Sequence, residues 1–86
     1  MLEIEVHPNA LKHGLNEEDV VYAWENFVRK QRREVPDTDQ VIVVGFDKKG
    51  VFIELIAIDK PFGVLIYHAK TPPTEKILKE LGMARK

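Results

Sequence analysis

Apolar and polar positions along this chain follow two periods, and the switches between them mark its elements. Leu2, Ile4 and Val6 alternate with Glu3 and Glu5, the period of two expected of a short strand with one buried face. Pro8 suits the first position of a helical turn and Gly14 the position just past its end, which predicts a brief helix over residues 8–13. A longer helix follows. Asn16 is its N-cap, and Glu17, Glu18 and Asp19 place negative charge at the positive end of the helix dipole. Val20, Trp24, Phe27 and Val28 then recur at helical spacing, with Val21 and Ala23 widening the stripe. The helix is expected to end near Arg29 or Lys30, with Trp24 and Phe27 in the core.

The rest of the chain reads mainly as strands. Residues 32–35 form a polar edge strand stopped by Pro36, and Asp37-Thr38-Asp39 is loop chemistry. Residues 41–46, 51–58 and 64–70 are three strong strands, joined by turns at Asp47-Lys-Lys-Gly50 and Asp59-Lys-Pro-Phe-Gly63. Thr71-Pro-Pro-Thr74 opens a last helix in which Ile77, Leu78 and Leu81 make the apolar stripe and Gly82 the stop. The tail, residues 83–86, is expected to fray. This order predicts a two-layer α+β domain, an antiparallel sheet of three to four strands packed with two main helices.

Composition narrows the picture. The 86 residues make one domain, 1–86, with 44% hydrophobic and 31% charged residues, a balance that builds a core rather than a disordered chain. There is no cysteine and no serine, which removes disulfides, thiolate metal sites and both of those nucleophiles. The start lacks a signal-peptide pattern, and no run approaches the roughly 20 apolar residues that cross a bilayer, so the expectation is a cytoplasmic protein without membrane contact. With 13 Lys+Arg against 14 Asp+Glu the net charge is -1. Nucleic-acid binders usually carry a basic excess, so any such role here must come from local patches.

Few residues are placed to do chemistry. Strand residues two apart share a face and lie about 6.5–7 Å apart, which groups Val64, Ile66, His68 and Lys70 against Leu65, Tyr67 and Ala69. A substrate oxygen could then meet both His68 and Lys70. Glu54 shares a face with Phe52, Ile56 and Ile58, so its carboxylate is either on an outer face or held by a partner. Taken singly, His68 reads as a half-buried strand residue, Lys70 and Lys12 as solvated cations, and His13 as a cation closing a helix. His7, before Pro8, reads as a capping residue. Arg29, Lys30, Arg32 and Arg33 are a solvated helix end, or a grip for phosphates or an acidic partner. The three histidines show no metal-ligand spacing, and there is no P-loop or G-x-G-x-x-G, so no metal or cofactor is expected.

The sequence of pieces resembles a known family. Lys12-His13-Gly14 precedes an acidic-capped helix. There follow Val-Ile-Val-Val-Gly-Phe-Asp-Lys-Lys-Gly, then Phe-Ile-Glu-Leu, and Val-Leu-Ile-Tyr-His-Ala-Lys before a closing helix. This pattern, spanning residues 10–81, resembles the BrnT-type toxins and the small toxin-like proteins grouped with them. Their late strand ends in I-H-A-M or I-S-A-R. Here His68-Ala69-Lys70 puts a point charge where S-A-R has a forked guanidinium.

The resemblance implies a RelE-like fold and a metal-independent endoribonuclease that arrests translation and is held inactive by a cognate antitoxin. It assigns the site to Lys12, His13, His68 and Lys70. The histidines would serve as base and acid, in an order left open, and the lysines would stabilise the phosphorane. Arg29, Lys30, Arg32 and Arg33 would position the RNA backbone. The other reading is a non-catalytic module that keeps the fold for protein–protein contact. The enzyme reading requires the Lys12-His13 turn to meet the C-terminal end of the late strand. RNA target and oligomeric state stay open.

Overall fold

Two capped helices and a set of tight turns define the computed structural model, which describes residues 3–83. In chain order the elements are β1 (Glu3–Val6), a 3-10 turn (Pro8–Leu11), α1 (Glu17–Glu25), β2 (Phe27–Arg32), β3 (Gln40–Phe46), β4 (Phe52–Lys60), β5 (Gly63–Lys70) and α2 (Glu75–Glu80). Asn16 caps α1 as expected, its side chain accepting the Asp19 N–H at 2.8 Å. Thr74 caps α2 in the same way through Ile77 N–H. At the β3–β4 turn, Gly50 takes φ +82° and the buried Asp47 carboxylate accepts the N–H groups of Lys49 and Val51, each at 2.8 Å.

The domain is α+β, but its sheet is larger than expected and mixed. Five strands lie in the order β1-β5-β4-β3-β2. β2 to β5 form an antiparallel meander, and β1 adds to the free edge of β5 in parallel. The chain must then cross from one sheet edge to the other, and α1 makes that crossing over one face. The parallel addition needs close backbone approach, and Gly63 supplies it. Its φ is +148°, and a Cβ there would overlap the Glu3 backbone.

The expected helix end is corrected. α1 stops at Glu25, Asn26 leaves helical geometry with φ −118° and ψ 44°, and residues 27–32 run as a strand. Only Arg32 of the edge strand expected at 32–35 belongs to it. The helical stripe holds through Trp24, which packs half-buried against the core, and fails after it. Phe27 and Val28 are 47% and 51% exposed. The apolar edge of β3 wins these residues, because pairing there satisfies both backbones at once. Gly45 permits the arrangement, since a side chain at that position would overlap the Ala23 carbonyl of α1.

Each sheet face has its own core. On the α1 face Val20 and Ala23 pack with Ala10, Val41, Val43, Ile53, Leu55, Ala57, Ile66 and Ala69. On the α2 face Ile77 and Leu81 pack on Ile42 and Val44, flanked by Phe52, Ile56, Leu78 and Met83. The helices therefore take opposite faces rather than one. Met83 packs here instead of fraying, and the remainder of the expected loose tail lies outside the described residues.

One irregularity positions the candidate site. Across β4 and β5, Ile56 faces His68 whereas Ala57 faces Ile66, so Tyr67 is an extra residue in β5. The bulge reverses the alternation. Val64 and Ile66 stay on the α1 face, while His68 and Lys70 pass to the α2 face, beside Ile56 and Glu54. The expected grouping of Val64 and Ile66 with His68 and Lys70 is thus overturned by a single inserted residue. Among the described residues no helix is long and apolar enough to cross a membrane.

Candidate functional site

The site grows from Glu54 outward. Glu54 is the third residue of β4, on the α2 face, with 3% of its side chain exposed. A carboxylate so enclosed needs partners, and it has two. Its Oε2 lies 2.7 Å from His68 Nε2, and its Oε1 accepts the backbone N–H of Thr74, the residue that caps α2. The Thr71 hydroxyl, donating to the Phe52 carbonyl, ties the β5–α2 connection to the same strand. With Glu54 as an acceptor-only carboxylate, Nε2 carries the proton in this contact. In the neutral ring, Nδ1 is then the basic atom. His68 keeps 22% of its side chain exposed, so the pair joins a buried anchor to an accessible imidazole.

His13 comes from the other end of the chain. Past β1, the chain continues along the edge of β5: His7 N–H donates to the Ile66 carbonyl at 2.9 Å and the Asn9 side-chain amide donates to the Tyr67 carbonyl at 3.0 Å. These bonds hold the 3-10 turn beside the bulge. Gly14, at φ +84°, then redirects the chain toward α1 and leaves His13 exposed just before it. The His13 and His68 ring centroids are 6.1 Å apart, with the planes inclined at 77°. The early turn and the late strand end do converge.

The two lysines differ. Lys70 is half-buried and directly opposite Glu54, two register rows from His68 on the same face. Lys12 is exposed, next to His13 in the chain. Among the described residues neither makes an ion pair.

Arg29, Lys30, Arg32 and Arg33 do not gather at this place. β2 is three strands from β5, about 14 Å at roughly 4.8 Å per strand. Their side chains are also divided between the faces and largely engaged. Arg29 donates to the Leu81 carbonyl at 3.1 Å, and Arg33 forms a two-pronged contact with Glu80 and a third bond to Gln40. On the α1 face Lys30 lies over the rings of Trp24 and Phe27, and Arg32 bonds Asp59 at 2.6 Å and the Thr38 carbonyl at 2.8 Å. There they line a groove of about 360 Å³ with Trp24, Val41 and Val64.

A displaced titration lies away from this place. On the exposed surface, the hydrogen bond and charge of Lys48 at 2.9 Å hold Glu18 below the usual carboxylate range, and Lys48 is raised in turn. This pair ties α1 to the β3–β4 turn and has no part in the site. His7 is a cap, as read from its place before Pro8: its Nδ1 accepts the Asn9 N–H at 3.0 Å.

Sequence reasoning did not name Glu54 as the partner of His68. Its signal was a lone carboxylate in an apolar run. Across β4 and β5 that signal could be converted into a contact only through the bulged register. Among the described residues no group of three or more His, Asp or Glu is arranged to hold a metal ion. No family model, no curated protein and no solved structure matches this chain.

Proposed function

We propose that this protein is a metal-independent endoribonuclease acting as the toxin of a toxin–antitoxin pair, with His13 and His68 flanking the scissile phosphate. The observation that carries the reading is the 6.1 Å separation of two accessible imidazoles, one of them backed by a buried carboxylate. Two ring nitrogens that both bond one phosphate need to lie within a few ångströms of each other, roughly two hydrogen-bond lengths of about 2.8 Å. Rings whose centroids lie 6.1 Å apart are compatible with that requirement.

The chemistry divides between them. Glu54 favours the His68 tautomer with a free Nδ1, so His68 is the base that takes the 2′-hydroxyl proton. The 2′-oxygen attacks phosphorus, the P–O5′ bond breaks, and His13 gives its proton to the leaving 5′-oxygen. The products are a 2′,3′-cyclic phosphate and a 5′-hydroxyl. Lys70 and Lys12 face the charge that builds on the phosphorane oxygens. The RelE-like ancestry implied by the sequence motifs belongs to this proposal.

Single-stranded RNA incubated with the protein in excess chelator should yield fragments with cyclic-phosphate ends. The His13→Ala, His68→Ala double variant should lose about 10²–10⁴-fold in rate. Equal cleavage by both proteins ends the reading.

One observation favours the second reading, a non-catalytic interaction module. β2 is a sheet edge with all six residues exposed, Phe27 and Val28 among them, and suits capture of a partner strand such as that of an antitoxin. Induced expression separates the two. Growth arrest relieved by the histidine substitutions supports the enzyme, and harmless accumulation supports the module.

A further inference from the structure

The bulge that turns His68 toward Glu54 also sets Tyr67 apart, and the nuclease reading does not use that residue. We infer that Tyr67, backed by His7, is the stacking platform for the nucleobase next to the scissile phosphate. The inference rests on the nuclease reading and specifies how its substrate is held: an unpaired base of single-stranded RNA.

Three observations support it. Tyr67 has no partner residue in β4, and its side chain is 43% exposed although it neighbours a well-packed strand core. Bulges beside functional sites commonly re-aim a side chain in this manner. Its ring meets the His7 ring at a centroid distance of 5.1 Å, inclined at 51°. An aromatic pair at the surface is therefore already assembled.

The pair is also fixed from behind. The Tyr67 carbonyl accepts the Asn9 side-chain amide, and His7 Nδ1 accepts the Asn9 N–H. That second bond leaves neutral His7 with its proton on Nε2, a donor available to an acceptor on a base edge. With the Tyr67 backbone and the His7 ring held in this way, less freedom is lost when a base settles on the pair.

Position separates this pair from the stacked Phe46 and Phe52 rings. Tyr67 is the chain neighbour of His68, with Cα atoms about 3.8 Å apart, and His7 lies in the turn that delivers His13. Phe46 and Phe52 are stacked at 4.6 Å, but Phe52 is four residues along β4 from Ile56, the residue opposite His68. At about 3.3 Å per residue that is roughly 13 Å, too far for the nucleotide adjoining the cleaved bond.

The test uses the full chain and a fluorescent single-stranded RNA with 2′-deoxyribose at its mapped cleavage position. A matched oligonucleotide lacks the base beside that position. By anisotropy, Tyr67→Ala should weaken binding of the intact oligonucleotide about tenfold, and Tyr67→Phe should stay within about twofold. Wild type and Tyr67→Ala should bind the abasic oligonucleotide alike. A loss of equal size on both oligonucleotides, or none on the intact one, overturns the stacking role and leaves the nuclease standing if wild type cleaves. Absence of cleavage by wild type overturns both.

Discussion

A carboxylate within an apolar strand must be neutralised, bonded or moved to the surface. Glu54 is bonded, and its two partners make different demands. Glu54→Gln keeps an acceptor for Thr74 N–H but places an amide donor opposite Nε2, which drives the proton of His68 to Nδ1 and removes the proposed base. Cleavage should fall about 10²–10⁴-fold while stability changes by about 1 kcal/mol. His68→Ala does the reverse to the fold, stranding a carboxylate whose side chain is 3% exposed. Loss of one partner of such a pair costs about 3–5 kcal/mol, and in a domain of this size each kcal/mol moves the melting temperature by about 4–8 °C. Thermal denaturation alongside the RNA assay checks both. Equal destabilisation by the two variants would show that Glu54 acts only as a structural anchor. At this scale the sequence marked His13, His68, Lys12 and Lys70 and left Glu54 as either on an outer face or held by a partner. It could not supply the 6.1 Å between the rings, which depends on the path of the whole chain.

Elements compete for residues, and residues 26–33 show how the contest is settled. Phe27 and Val28 continue a helical stripe by spacing, yet both carry strong β-propensity, and β3 offers an unfilled edge. Once they leave the helix, the basic residues that follow become strand residues whose side chains alternate between faces. Arg33 then reaches Glu80 and Gln40 and pins α2, while Arg32 pairs with Asp59 at the surface. The two should differ when truncated. Arg33→Ala, whose side chain is 17% exposed, should cost about 1.5–3 kcal/mol in urea denaturation, and Arg33→Lys should recover only part of it. Arg32→Ala, at 52% exposed, should stay within about 1 kcal/mol. The turns and helix limits were legible beforehand at Asn16, Gly50, Thr74 and Gly82, because each is a local conformational requirement met by its own residue.

Taken whole, the molecule carries a net charge of -1 and a split surface, with its cations spread over two faces and two edges rather than pooled at the histidine pair. Under the proposed nuclease reading, a surface built this way grips few phosphates. If Lys12 and Lys70 are the principal contacts, log affinity for single-stranded RNA should fall with log salt at a slope of about −1.4, from roughly −0.7 per phosphate. Titrating binding of a cleavage-blocked RNA between low and physiological salt measures it. A slope several times steeper would mean that other cations, those of β2 included, engage the backbone. Charge balance also fits the proposed division of labour, in which stacking on Tyr67 supplies binding that phosphate contacts cannot.

The sequence alone determined the α+β class, three of the five strands nearly to the residue, the cap of α1, the start and stop of α2 and the chemical types gathered at the site. Those are properties of short windows, where hydrophobic period and backbone preference act without reference to distant segments. Tertiary structure decided the rest. It added β1 in parallel to β5, ended α1 at Glu25, placed the two helices on opposite faces and inserted the bulge at Tyr67. Each of these is a pairing between segments remote in the chain. A pairing is chosen by which exposed edge or apolar face remains to be covered, a quantity that no local window contains.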